Sequence, residues 1–204
     1  AASDVYKRQS YRNITAAFIS ENPGPLNKAE SRLSQWKNIL KSARRKETLC
    51  LRHVPHETAI EKSPWFYLSN NLCMTILYNL RRINEVCKEH VENNFHRLPS
   101  RYTVEYENLR THVSTLFNDT LDVMQSADAG EIATLRRHCD EIKDTISDTY
   151  HRVQEHLRDG DTASMTVLYV YVNMLQETQE MVSSIRKYLR AYAKLRDSKY
   201  RSRA

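Results

Sequence analysis

Glycine and proline are scarce in this sequence, with three glycines and five prolines among 204 residues. So few chain breakers favour long helices over a fold built from many tight turns. Long apolar runs are missing as well. The longest, Val167 to Val172, is far shorter than the roughly 18–20 residues needed to cross a bilayer. This stretch of chain is therefore predicted to be soluble or peripheral to a membrane.

Motifs that carry catalytic chemistry are also absent. The sequence has no Gly-rich phosphate loop and no recognisable pairing of a nucleophile with a base, so it predicts a protein that is not an enzyme. None of its four cysteines belongs to a Cys-x-x-Cys pair, and they are predicted to be small buried thiols in a reducing compartment.

The clearest pattern present is an apolar stripe between Asp161 and Leu195. Its members recur mostly every three or four residues, as on one face of a long helix. Four earlier helices are predicted from similar stripes: Asn27–Leu51, Pro64–Phe95, Arg101–Gln125, and a helix capped at Asp128 that ends at Asp159. The last four of the five helices are joined by short connections, which predict antiparallel neighbours. The predicted fold is an all-α antiparallel bundle of long helices.

The chain is predicted to divide into four parts. Residues 1–10 carry no clear period and resemble translated sequencing-adapter read-through, so we treat them as an artefact outside the fold, which would make the natural chain longer. Residues 11–26, which contain an Asn-Pro-Gly-Pro breaker, are interpreted as a linker. The helical bundle would occupy 27–196, and 197–204 would be a basic tail.

The net charge of +6 and the isoelectric point near 9.1 suggest anionic neighbours. Each Lys or Arg near an anionic headgroup surface contributes on the order of 1 kcal/mol to binding. The candidate contacts lie in two stretches: Lys37, Lys41, Arg44 and Arg45 in the first, and Arg186, Lys187, Arg190 and Lys194 in the second. Ordinary solvated helix faces are the other interpretation. A stand-alone module that binds nucleic acid or anionic surfaces also stays open, because Tyr188, Tyr192 and Tyr200 interleave with the second stretch.

Three carboxylates, Asp140, Asp144 and Asp148, are spaced four residues apart and form one row on a predicted helix. Like charges at this spacing repel each other by a few tenths of a kcal/mol per pair. A bound divalent cation such as Mg, Ca, Mn or Fe could offset that repulsion. Alternatively, Arg136 and Arg152, which extend the row at its two ends, could neutralise a solvated face.

Two segments, Trp65–Phe95 and Leu168–Leu195, resemble the PhoU-like helical domain at the C-terminus of bacterial inorganic phosphate transporters. The resemblance implies a regulatory or accessory domain on the cytoplasmic face of the bacterial inner membrane. It implies the membrane-spanning permease part of the same transporter as partner, with contact to anionic lipid headgroups and a homodimer as further expectations. It makes nucleic acid the less favoured partner.

PhoU proteins bind metal clusters through Glu/Asp-x-x-x-Asp motifs in each of two repeats. Asp140, Asp144 and Asp148 match that spacing, and the nearest matches in the first repeat are Glu85 and Glu89, with Glu where the pattern has Asp. The resemblance thus implies a divalent metal, Mg, Mn or Fe, held by these five carboxylates.

Overall fold

The computed structural model describes residues 2–51, 53–93, 96–126, 128–159 and 162–197. Across these ranges the chain forms six helices and no strand, which confirms the all-α prediction. In chain order they are α1 (Ala2–Ser20), α2 (Pro23–Leu51), α3 (His56–Glu92), α4 (Ser100–Ser126), α5 (Ala129–Asp159) and α6 (Thr162–Arg196). Gly160, Asp161 and all of the predicted tail except Asp197 lie outside the described residues. None of the helices described is apolar enough over a sufficient length to cross a bilayer.

Helix α1 is the largest difference from the sequence prediction, because it covers most of the stretch interpreted as artefact and linker. Tyr11, Ile14, Ala17 and Phe18 are almost fully buried, at the spacing of one helical face. Residues 11–26 are therefore not a linker in this structure: they form the second half of α1 and the start of α2. Whether residues 1–10 belong to the natural protein stays a prediction.

The turn between α1 and α2 explains why the Asn-Pro-Gly-Pro breaker does not end the fold. Glu21 adopts a positive φ of 54°, and the Asn22 backbone N–H donates to the carbonyl of Ala17 at 3.0 Å, as in a left-handed helix end. The Asn22 side chain accepts from the Gly24 N–H at 3.0 Å, so it satisfies a donor in the first turn of α2. The breaker thus separates two packed helices.

Helix α3 begins at His56, before the Ser63–Pro64 start that the sequence predicts. Pro64 lies inside the helix, and the Ser63 hydroxyl donates back to the carbonyl of Ala59 instead of capping a new N-terminus. A serine inside a helix commonly makes this backward bond, so a Ser-Pro pattern in the sequence does not by itself show that a helix begins there.

The six helices pack as two halves of three. Helices α1, α2 and α3 contact one another, α4, α5 and α6 do the same, and the halves meet where α1 packs on α4 and α3 packs on α6. Arg110 on α4 reinforces the first junction by donating to the hydroxyl of Thr15 at 2.8 Å and to the carbonyl of Arg12 at 3.2 Å on α1.

Helices α3 and α4 do not contact each other although they are consecutive. The prediction that short connections join neighbours therefore fails for this pair.

An aromatic cluster fills the place where the two halves meet. The rings of Tyr106 and Tyr171 are 5.5 Å apart and nearly perpendicular, and Phe18 packs edge-on against Tyr106 at 6.1 Å. These three side chains are buried and come from α4, α6 and α1, respectively. Edge-to-face pairs of this kind add about 0.5–1.5 kcal/mol each beyond the burial of their area. The cluster therefore joins the halves into one core.

Polar side chains in the middle of α6 bind its two neighbours. The Glu177 carboxylate accepts from Asn79 at 3.0 Å and from Arg82 at 2.6 Å, both on α3. Gln179 donates to the Ser147 hydroxyl at 2.9 Å on α5. Because each bond needs one alignment of the helices, these residues fix the register of α6 against both partners.

His90 provides a pH-dependent contribution to stability. It is buried on α3, and its ring lies 4.8 Å from that of Phe18 at an interplanar angle of 56°. Burial lowers its pKa, although the charge of Glu21 opposes that shift. Above the pKa of about 6.5 that His90 has in the unfolded chain, the residue is neutral in both states and its protonation does not lower stability. Below it the unfolded chain binds the proton more readily than the folded chain does. The free energy of unfolding therefore decreases as the pH is lowered, by at most about 1.4 kcal/mol per pH unit.

We expect the free energy of unfolding of wild type to fall more between pH 7.5 and pH 5.5 than that of His90→Gln. The measurement is urea denaturation at each pH, and His112→Gln, which removes an exposed histidine, is the control. Equal pH dependence of wild type and His90→Gln would show that His90 does not titrate against the fold.

Candidate functional site

The carboxylate row on α5 is only partly available to a ligand. Asp140 is held by the Arg186 guanidinium of α6, with its two carboxylate oxygens at 2.8 and 2.9 Å from Nε, and Lys143 lies 3.9 Å away. Asp144 and Asp148 are exposed, and neither has an ion pair among the described residues. The first member of the row therefore has a structural partner, and the other two face solvent.

The two arginines expected to neutralise the row do not do so. Arg152 reaches across to Glu105 on α4 at 3.1 Å and donates to Thr149 at 3.0 Å. The Nε of Arg136 is buried and has no hydrogen-bond partner in the described part of the chain. The neutralising charge comes instead from Arg186, which was predicted to contact an anionic surface.

The first-half carboxylates do not join this row. Glu85 pairs with Arg81 on its own helix at 2.8 Å, and Glu89 is exposed. Both lie on α3, which does not contact α5, because α6 packs between them. Among the residues that the structure describes, no three His, Cys, Asp or Glu side chains form a group that could hold a metal ion. The arrangement does not bring the five predicted ligands into one site, and metal binding stays a prediction.

An acidic cleft at the α4–α5 turn was not predicted from the sequence. It is open to solvent, encloses about 760 Å³, and is lined by Asp119, Asp122, Val123, Gly130, Glu131, Thr134, Leu135, Arg137, His138 and Glu141. Burial raises the pKa of Asp119, an effect that His138 opposes and Asp122 reinforces. Four carboxylates against one arginine give the cleft a negative potential that attracts cations.

The sequence correctly predicted that Asp128, in the turn that forms this cleft, caps the N-terminus of α5. The Asp128 carboxylate accepts from the N–H groups of Gly130 at 2.7 Å and Glu131 at 2.9 Å, which fixes the start of α5. The Glu131 side chain accepts from the Ser126 hydroxyl at the end of α4. The sequence could have predicted the cleft, because a tight turn between two amphipathic helices brings together the acidic residues that lie before and after the turn.

The basic side chains lie on two helices that do not contact each other, α2 and α6. On α2, Lys41, Arg44 and Arg45 are exposed and Lys37 is half-buried. On α6, Lys187, Arg190 and Lys194 are exposed, while Arg186 is engaged with Asp140. Nothing in this arrangement adds support to the nucleic-acid alternative.

Comparison with known proteins rests on structure alone. No protein-family model and no curated protein matches this sequence. Among solved structures, the crystal structure of PhoU from Pseudomonas aeruginosa superposes with a TM-score of 0.77. The match covers 95% of this chain and 91% of that one, at 13% sequence identity. The fold is PhoU-like.

The extent of the match bears on α1. A PhoU-like superposition over 95% of 204 residues leaves only about ten residues outside, so the 19 residues of α1 cannot all lie outside it. At 13% identity the likeness shows the fold and does not carry over ligands. The carboxylates on this PhoU-like fold must therefore be tested directly.

Asp144 is the sharpest probe of the metal prediction, because it is the exposed centre of the row. From the geometry we expect Asp144→Asn to be neutral or slightly stabilising, since it relieves two like-charge contacts, and millimolar Mg or Mn to leave both melting temperatures unchanged. Thermal denaturation with and without the metals measures this. A metal-dependent rise in wild type that Asp144→Asn abolishes would contradict the expectation and establish the site that the resemblance implies.

Proposed function

We propose that this chain is a regulatory or accessory domain in bacterial inorganic phosphate uptake. The observation that carries the proposal is the PhoU-like fold over 95% of the chain. The resemblance of residues 65–95 and 168–195 to PhoU-like transporter domains supports the same role. These segments form most of α3 and α6, the helices that pack together at the junction of the two halves. A non-catalytic role fits the absence of a nucleophile paired with a base in the sequence.

The finer proposal is that the domain belongs to a phosphate permease and acts on the cytoplasmic face of the inner membrane. Its partner would be the membrane-spanning part of the same transporter. The exposed cations of α2 and α6, among them Arg45, Lys187 and Arg190, would face that partner or the anionic headgroups around it. A homodimer stays a prediction beside this one.

The reading frame upstream of residue 1 in the source DNA tests the finer proposal. We expect several apolar segments of about 20 residues each, the length that spans a bilayer as a helix. Charges should be sparse within them, and Lys and Arg should be concentrated in their cytoplasmic connections. A start codon close to Tyr11, or an upstream sequence without such segments, would overturn the fusion to a permease while leaving the PhoU-like fold intact.

A further inference from the structure

A cavity between α2 and α3 combines charge, hydrogen-bonding groups and an apolar wall. It encloses about 400 Å³ and is lined by Leu40, Lys41, Arg44, Asn70, Asn71, Met74, Thr75 and Tyr78. Its size lies within the range of pockets that bind small molecules, about 300–1,000 Å³. It is separate from the carboxylate row and from the acidic cleft, which belong to the other half of the molecule.

The charged groups of this α2–α3 cavity are all cationic. Lys41 and Arg44 are one helical turn apart on α2, both are exposed, and no carboxylate lines the cavity. Neither forms an ion pair with a described residue. Lys37 lies 5.6 Å from the centre of the Tyr78 ring and adds a third positive charge at the edge. Two such side chains, one of them an arginine that can bind in bidentate fashion, suit a phosphate group.

The opposite wall offers a donor and an apolar surface. Asn71 on α3 lines the cavity and is exposed, so its side-chain amide can donate to a ligand acceptor. Met74 and the exposed ring of Tyr78 on this wall, together with Leu40 of α2, provide contacts for an aromatic or apolar body.

The corresponding helix pair of the second half is closed by its own side chains. Between α5 and α6, Gln179 bonds to Ser147 and Arg186 pairs with Asp140. Between α2 and α3 the ion pair found in the described part, Lys88 with Glu30 at 3.1 Å, lies near the other end of α3 and leaves the cavity open. Described side chains thus bridge the α5–α6 pair at two points, whereas the α2–α3 cavity stays open.

We propose that the α2–α3 cavity binds a phosphomonoester carried on an aromatic body, of the mononucleotide class. Lys41 and Arg44 hold the phosphate, Asn71 donates to an acceptor on the base, and Tyr78 with Met74 packs against its face. The site does not depend on the proposed role in phosphate uptake, because its argument uses only the groups lining this cavity.

Isothermal titration of the full chain with AMP tests the proposal, with adenosine and inorganic phosphate as partial ligands. We expect AMP to bind more tightly than either fragment, because only AMP uses both walls. Arg44→Gln should weaken AMP binding on the order of ten- to a hundredfold, the usual effect of losing a charged hydrogen bond. Arg45→Gln, which removes the same charge from an exposed neighbour outside the cavity, should change it by less than about threefold.

Three results would overturn the site. The first is no heat and no thermal shift with AMP in a wild-type protein whose circular dichroism shows it folded. The second is an equal loss of affinity in Arg44→Gln and Arg45→Gln, which would mean diffuse attraction. The third is binding to phosphatidic acid vesicles, but not to phosphatidylcholine vesicles or AMP, which would assign Lys41 and Arg44 to a lipid headgroup.

Discussion

Replacing Leu175 by aspartate should unfold or aggregate the domain. Leu175 is fully buried in α6, the helix that packs against both α3 and α5. An unpaired buried carboxylate costs several kcal/mol, and a whole domain is stable by only about 5–15 kcal/mol. Circular dichroism and thermal denaturation of the purified variant measure the effect. We expect no cooperative transition, or a melting temperature lower by more than about 10 °C.

Tyr169→Asp is the matched control, because Tyr169 lies on the same helix and is 58% exposed. It should melt close to wild type, since its new carboxylate stays in water. If Leu175→Asp also melted within a degree or two of wild type, the stripe of α6 would not be buried and the two-half packing would be incorrect.

Ile14→Ala should lower the free energy of unfolding by about 2–5 kcal/mol, the usual loss for truncating a buried isoleucine. Ile14 is fully buried on α1, one helical turn from Tyr11 and Phe18. Urea denaturation followed by circular dichroism measures the loss. The effect is expected only if α1 packs in the core as described.

Arg12→Ala is the control on the same helix, since its side chain is exposed and the Arg110 bond uses its backbone carbonyl. It should change stability by less than about 0.5 kcal/mol. Equal stability of Ile14→Ala and wild type would restore the interpretation of residues 11–26 as a linker.

The later helices could be predicted because their apolar stripes are long and regular. The stripes that contain Leu80, Ile146 and Leu175 place these residues on one face of a helix, and all three are buried. The Asp128 cap was also readable, because a cap is local chemistry within four residues. Such features depend on neighbours along the chain, which a sequence displays directly.

Helix α1 was missed because its stripe is short and interrupted. Between Tyr11 and Phe18 the chain carries Arg12, Asn13 and Thr15, and an Asn-Pro-Gly-Pro breaker follows. The burial of Tyr11 and Ile14 comes from packing on α4 and α3, which are distant in sequence. No sequence pattern within residues 11–26 indicates that α1 packs on α3 and α4.

The candidate site was less predictable than the fold for the same reason. The row of Asp140, Asp144 and Asp148 was readable, but the partner of Asp140 was not, because Arg186 lies 46 residues away on another helix. Likewise, the acidic cleft and the α2–α3 cavity arise from pairs of helices. Spacing along one helix cannot show which side chains of a second helix face it.

Phosphate uptake measures the central claim most directly. Membrane vesicles would carry the permease that we propose to be encoded in the same reading frame, either intact or lacking residues 11–197, and labelled phosphate would be followed over a range of external concentrations. Leu175→Asp in the intact protein provides a second form without a folded domain. We predict that both altered proteins change the rate of uptake, or its dependence on phosphate, at equal amounts of permease in the membrane. Identical uptake curves for all three proteins would contradict a regulatory or accessory role in phosphate uptake.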